Sequence, residues 1–153
     1  MRKILVIGSG GAGKSTFARR LAEHLKLEII HLDRLYWKPG WVEMPKDEWR
    51  LLIQELLQRD AWIMDGNYSG TLELRLAACD TVFFLDLARS ICLWRVLKRA
   101  IFYRKGRRPD MAEGCHERLD LSFAYWVWSY KKRSRPKIVR RLTEHAQGKQ
   151  VIW

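Results

Sequence analysis

A chain of 153 residues that is 48% hydrophobic can bury the core of one domain, and it carries a formal charge of +12. Its three cysteines, Cys79, Cys92 and Cys115, form no C-x-x-C pair, which argues against a disulfide framework and a zinc knuckle. No apolar stretch approaches the roughly 20 residues of a membrane span, and the short apolar run after Met1-Arg2-Lys3 lacks a signal peptide's length, so a cytosolic protein without a membrane partner is expected.

The charge is unevenly placed. Arg89 to Arg141 holds sixteen Lys/Arg against four Asp/Glu, and the remainder is neutral. A neutral body joined to a cationic segment suits a polyanion such as a triphosphate, a nucleic acid or an acidic surface, or else a solvated basic face.

In chain order, Ile4–Ile7 is a short β-branched and aliphatic run that predicts a buried strand ending at Gly8. Ser15–Leu25 repeats Phe17, Leu21 and Leu25 at helical spacing. Glu28–Leu32 predicts a second strand ending at Asp33, and Pro45–Arg59 an amphipathic helix with Pro near its start. Ala61–Met64 predicts a third strand before Asp65-Gly66, Leu72–Ala78 a short helix, and Thr81–Leu85 a fourth strand before Asp86. Helices are predicted over Ile91–Phe102, Leu119–Tyr130, and from a Ser134 cap with Pro136 inside it to about His145. Gln150–Trp153 begins a fifth strand. Strands alternating with helices predict an α/β protein: one parallel sheet between two helical layers, in a single domain over residues 1–153. Gly and Pro in the stretch from Arg104 to Glu113 predict a loop, and a basic lid region is expected at about 95–135.

Gly8-Ser9-Gly10-Gly11-Ala12-Gly13-Lys14-Ser15, followed by Thr16, fits G-x-x-x-x-G-K-[ST], with a strand before it and a helix after it. Glycines let consecutive N–H groups turn inward, the helix N-terminus adds positive potential, and Lys14 adds a full charge for the β/γ-phosphates. The Ser15 hydroxyl suits Mg²⁺, a cation that prefers oxygen ligands. These residues predict the binding of ATP with Mg²⁺, and no GTP-specifying motif is evident.

Carboxyl ends of parallel strands are where ligands bind in open α/β sheets. Asp65 is placed to hold the metal directly or through water, or to cap its loop. Asp33 is placed to orient or deprotonate an acceptor hydroxyl, to contact the metal, or to pair with Arg34. Asp86 reads as the cap of the helix near Arg89. Tyr36, Trp37 and Trp41 either stack on a ligand or cover the core.

Arg95 and Arg99 share a helix face, and Arg104, Lys105, Arg107 and Arg108 follow them. Such a cluster can close over a transferring phosphoryl group and stabilise its charge, with Arg118, Arg133 and Arg135 completing a cage. Trp126, Trp128 and Tyr130 before Lys131-Lys132-Arg133 interleave aromatics with cations, as single-strand binders do. The helical spacing of Leu119, Phe123, Trp126 and Tyr130 equally describes a core face.

Gly8 to Thr16, His31-Leu32-Asp33, Leu35 to Trp41, Asp65 to Tyr68, Cys92 to Arg99, Arg108 to Cys115 and Arg133 to Pro136 together resemble the DNA topology modulation protein family. That family is similar to the adenylate-kinase-like P-loop kinases. The resemblance covers nearly the whole chain and implies a five-stranded parallel sheet in the order 2-3-1-4-5, with a lid. It assigns phosphate binding to Lys14, matches Asp65-Gly66 to the Asp-Gly after strand three, and makes Arg95 and Arg99 similar to lid-proximal arginines. Adenylate kinases continue Asp-Gly into Phe-Pro-Arg, whose Arg grips the acceptor nucleotide. Ser69 stands there in this chain, with Arg75 the nearest substitute. Relatives also run on past the fifth strand into an adenine-contacting loop, so incomplete base recognition is expected of a sequence ending at Trp153. The expected activity is phosphoryl transfer from Mg-ATP to a small acceptor, with Lys14, Asp33, Arg95, Arg99 and Arg108 as its chemical residues. A nucleotide-dependent regulator that binds DNA through its basic half is the alternative.

Overall fold

The computed structural model describes residues 1–102, 111–115 and 120–153. Arg104, Lys105, Arg107, Arg108, Arg118 and Leu119 lie outside the described residues.

Strand β1 (Lys3–Gly8) is central, and Ile4 to Ile7 have no exposed surface. It pairs in parallel with β5 (Trp62–Asp65) on one side and β6 (Thr81–Leu85) on the other. Strand β2 (Ile29–His31) extends the sheet beyond β5, and β7 (Gln150–Ile152) extends it beyond β6. The order is β2-β5-β1-β6-β7. It is the expected 2-3-1-4-5 once the separate hairpin of β3 (Trp37–Lys38) and β4 (Val42–Glu43) is left out of the numbering.

Alternation along β1 assigns its side chains to two layers. Ile4 and Val6 meet helix α1 (Lys14–Leu25) through Phe17, Ala18, Leu21 and Ala22. Leu5 and Ile7 face a larger cluster. It is built from α3 (Lys46–Leu57), α4 (Leu72–Ala78) and α7 (Arg135–His145), with Trp49, Ile53, Leu76, Ile138 and Leu142 at its centre. Helices α5 (Arg89–Phe102) and α6 (Leu121–Arg133) meet over the turn after β1, where Ala12, Cys92, Val96 and Val127 are buried together. No described helix is long and apolar enough to cross a membrane.

Two local expectations change. The second strand stops at His31, and Asp33 lies in the first turn of a short helix, α2 (Leu32–Tyr36). Five residues are too few to show a helical period. Ser134 holds the position before α7 but makes no side-chain capping bond, whereas Asp120 caps α6 by accepting from the amides of Ser122 and Phe123. Asp86 pairs with Arg135 at 2.7 Å. On α6, Phe123, Trp126 and Tyr130 pack inward, as a core face requires, while Tyr125 and Trp128 are exposed.

Asp80 ties the chain's start to the sheet by accepting from the amides of Arg2 at 2.6 Å and Lys3 at 2.9 Å. Desolvation opposes its ionisation, but these bonds and one from Thr81 prevail and hold its pKa below the ordinary 3.8. The stability it adds is complete above 3.8 and is lost as the pH falls through the lower folded value. Asp80→Asn is therefore expected to cost about 1 kcal/mol at neutral pH. Urea titrations of both proteins should show that difference vanishing by the foot of the acid limb.

Candidate active site

The turn between β1 and α1 is made by glycines because their neighbours leave no room for a side chain. A Cβ on Gly11, at φ +76°, would stand 2.3 Å from the Cys92 carbonyl oxygen, and one on Gly10 would stand 2.7 Å from the Phe123 ring. Helices α5 and α6 thus press directly on the loop. Lys14 folds back and donates to the Ser9 carbonyl at 2.9 Å. The start of the loop is clamped by Asn67, whose side-chain carbonyl accepts from the Gly8 amide at 3.0 Å and whose amide donates to the Gly8 carbonyl at 2.7 Å. This clamp spans 59 positions, so a local motif does not reveal it. Asn67→Leu removes both bonds and should weaken ATP binding about fivefold, at roughly 1 kcal/mol, as read by calorimetry.

A cavity of about 860 Å³ opens beside this loop. Gly10, Gly11, Gly13, Lys14, Ser15 and Thr16 line it, whereas Gly8, Ser9 and Ala12 do not. Ser9 and Ala12 are buried behind the lining. Arg95 and Arg99 bring two guanidinium groups to the cavity from α5, and Arg95 stands 3.5 Å from where a Cβ on Gly13 would be. The structure therefore brings Lys14, Arg95 and Arg99 together. Arg133 and Arg135 do not join them: Arg133 lies over the Tyr125 ring, and Arg135 holds Asp86.

The far wall comes from α2, the hairpin and the turn after β5. Asp33, Trp37, Trp41, Glu43, Asn67 and Tyr68 line it. Tyr68 donates to Asp33 at 2.6 Å, and Tyr36 donates to Glu43 at 3.0 Å. Burial, followed by the Asp33 charge, pushes the Tyr68 phenol far above its ordinary range, so it remains a donor to the carboxylate at every working pH. Tyr36, Trp49 and Tyr68 form a ring cluster with centroids 4.7–5.1 Å apart, and Trp37 meets Trp41 edge-on at 5.4 Å. Tyr36 helps cover the core, and the two tryptophans line the cavity. Residues 111–115 reach this wall, since Gly40 donates to the Gly114 carbonyl, Cys115 packs against Lys38, and Met111 lines the cavity.

Asp65 is buried at the end of β5 and does not line the cavity. One carboxylate oxygen meets Nδ1 of His31 at 3.0 Å, and the other is buried with no hydrogen-bond partner. Arg75 is not an acceptor-gripping residue. It has no exposed surface and donates to the carbonyls of Gly66, Asn67 and Tyr68, holding the turn from behind. Burial lowers its pKa to about 9, which leaves it charged at neutral pH. Sequence reasoning did not single out Glu43 or the Asn67 clamp, although the Pro39-Gly40 pair between tryptophans was a hairpin signal.

No protein-family description fits the sequence, and no curated relative is found for it. Solved structures do share its fold. Over all of this chain and 83% of the other, it is similar to the shikimate kinase from Acinetobacter baumannii in complex with shikimate, with a TM-score of 0.60 at 18% identity. It is similar to the deoxyadenosine kinase from M. mycoides with bound dATP over 97% of this chain and 89% of that one, with a TM-score of 0.56 at 14% identity. A shikimate kinase from Bacteroides thetaiotaomicron matches with a TM-score of 0.55 at 17% identity, over 98% of this chain and 84% of that one. The five-stranded parallel sheet flanked by helices matches the folds of these solved structures. Nothing in these comparisons supports the resemblance to the DNA topology modulation family.

Proposed function

We propose that the chain is a phosphotransferase that moves the γ-phosphoryl group of Mg-ATP to a hydroxyl group of a small acceptor. The observation that carries this reading is one cavity with Lys14, Arg95 and Arg99 on one wall and Asp33 on the other. The structural neighbours bind dATP in one case and shikimate in another, in keeping with a nucleotide and a small acceptor side by side.

In this scheme the loop amides and Lys14 hold the β- and γ-phosphates. Asp33, fixed by Tyr68, orients the acceptor hydroxyl and takes its proton. The bond from phosphorus to the β–γ bridging oxygen breaks, that oxygen leaves with the electron pair as ADP, and the acceptor oxygen bonds to phosphorus. Arg95 and Arg99 offset the charge on the transferring group. The available donors fit magnesium. Ser15 offers a hydroxyl at the cavity, the unpartnered Asp65 oxygen is buried outside the cavity lining, and no cluster of three acidic, His or Cys side chains forms among the described residues. That sparse set matches a cation that takes most of its ligands from phosphate and water. When bound, magnesium would neutralise phosphate charge.

ADP release that depends on an added hydroxyl compound tests the reading. ATP bound without transfer to any acceptor rejects it. A second reading, nucleic-acid binding, draws on exposed aromatics beside cations: Arg89 lies 4.1 Å over Trp128, and Lys98 lies 4.9 Å from the Trp94 ring. A salt-dependent gel shift with single-stranded DNA would support it, and no shift at low salt would remove it.

A further inference from the structure

The turn after β5 touches both walls of the cavity. Asn67 clamps Gly8 at the start of the phosphate loop, and the next residue, Tyr68, donates to Asp33 on the far wall. The backbone that carries these two side chains is bent against its own preferences. Gly66 sits at φ +141°, where an added Cβ would stand 3.0 Å from the Leu32 side chain, and Tyr68 takes φ +35°, a left-handed conformation that side chains disfavour.

Arg75 offsets that strain. Its guanidinium group donates to the Gly66 carbonyl at 2.9 Å, to the Asn67 carbonyl, and to the Tyr68 carbonyl at 2.9 Å. It has no exposed surface, and its neighbours one turn away along α4, Leu72 and Leu76, are buried in the core. The group is thus anchored to the core, and it does not line the cavity. A planar fork of five donors suits three carbonyls in series, whereas an ammonium group is a compact point charge.

We infer that Arg75 is a positioning residue for both substrates: by fixing one turn it sets the phosphate loop through Asn67 and Asp33 through Tyr68, so nucleotide affinity and the placement of Asp33 fail together when it is lost. This rests on the phosphotransferase reading and adds the residue that ties the two walls of that site.

The test uses Arg75→Lys in the full chain, where circular dichroism shows the variant folded. Calorimetry with magnesium and a non-hydrolysable ATP analogue should show binding weakened about fivefold, the loss expected of Asn67→Leu, because the same clamp fails. In the double variant Arg75→Lys should cost no more than about a further twofold, since both changes break one linkage. The carbon-13 signal of the Asp33 carboxyl, assigned by its absence from Asp33→Asn, should move in Arg75→Lys toward its position in Tyr68→Phe. Arg141→Ala removes the cation that holds the neighbouring Ser69 carbonyl at 2.7 Å, and it should change binding by less than about twofold and leave the Asp33 signal in place. Affinity unchanged in Arg75→Lys, losses that multiply in the double variant, an unmoved Asp33 signal, or equal effects in Arg141→Ala overturn the inference. If Arg75→Lys does not fold, nitrogen-15 spectra of the parent decide: resolved Arg75 guanidinium signals that shift when the analogue binds are predicted, and averaged or unmoved signals overturn it. None of these readouts needs turnover, so failure of the phosphotransferase reading shows separately, as ATP that the parent never consumes with any hydroxyl compound.

Discussion

Lys14→Ala should lower kcat/KM for phosphoryl transfer by about a thousandfold, or roughly 4 kcal/mol, while leaving the fold intact. The ammonium group donates to the Ser9 carbonyl at 2.9 Å, so its loss removes one modest bond from the free protein. In the proposed scheme it faces the β- and γ-phosphates, where charge moves as the bridging oxygen departs. The rate should therefore suffer more than ATP affinity, which calorimetry should find weakened by about ten- to a hundredfold. Far-ultraviolet circular dichroism and the thermal midpoint should be close to those of the parent. A variant that turns over normally would show that the loop lysine does not serve the reaction.

Asp33→Asn is the second variant with a large effect. Asn keeps an oxygen for the Tyr68 hydroxyl, so the 2.6 Å contact and the aromatic packing behind it have a substitute. What is lost, in the proposed scheme, is the charge that aligns the acceptor hydroxyl and receives its proton, a contribution of about 10²- to 10⁴-fold. ATP affinity should change by no more than about twofold, since Asp33 lies on the wall across from the loop. A parent-like rate would remove Asp33 from the chemistry.

The parts of this site that were legible in the sequence are those built from contiguous residues. The loop from Gly8 to Ser15 combines local backbone freedom with one cation, and its strand and helix are adjacent in the chain. Three of the five sheet strands were visible because Ile4–Ile7, Trp62–Met64 and Thr81–Leu85 are short, mostly apolar runs ended by Gly or Asp. Strand pairs as short as Trp37–Lys38 with Val42–Glu43 carry no periodic signal, and neither does a five-residue helix. Asp33 was nonetheless assigned to the correct end of the sheet, because the strand and the helix that follows deliver it to the same edge.

Long-range contacts were the less legible part. Asn67 reaches Gly8 across 59 positions, and nothing near Asn67 in the sequence announces it. Arg75 misleads for a physical reason. Arginines are almost never fully buried unless their donors are satisfied, so a helical arginine beside a candidate site reads as a ligand-binding group. Here three backbone carbonyls occupy it. Asp86 and Arg135, each assigned elsewhere by local pattern, find one another across 49 residues at 2.7 Å. The +12 charge suits a polyanion or a solvated basic face, and composition cannot divide cations between cavity and surface. In the fold Arg95 and Arg99 line the cavity, whereas Arg89 and Lys98 lie over exposed rings.

The most direct measurement of phosphoryl transfer across this cavity is phosphorus-31 NMR of the protein with magnesium, ATP and a mixture of small hydroxyl compounds. A new phosphomonoester resonance growing in step with ADP, and absent with Lys14→Ala, is the predicted result. ATP that stays intact, or that yields inorganic phosphate alone, would contradict the account.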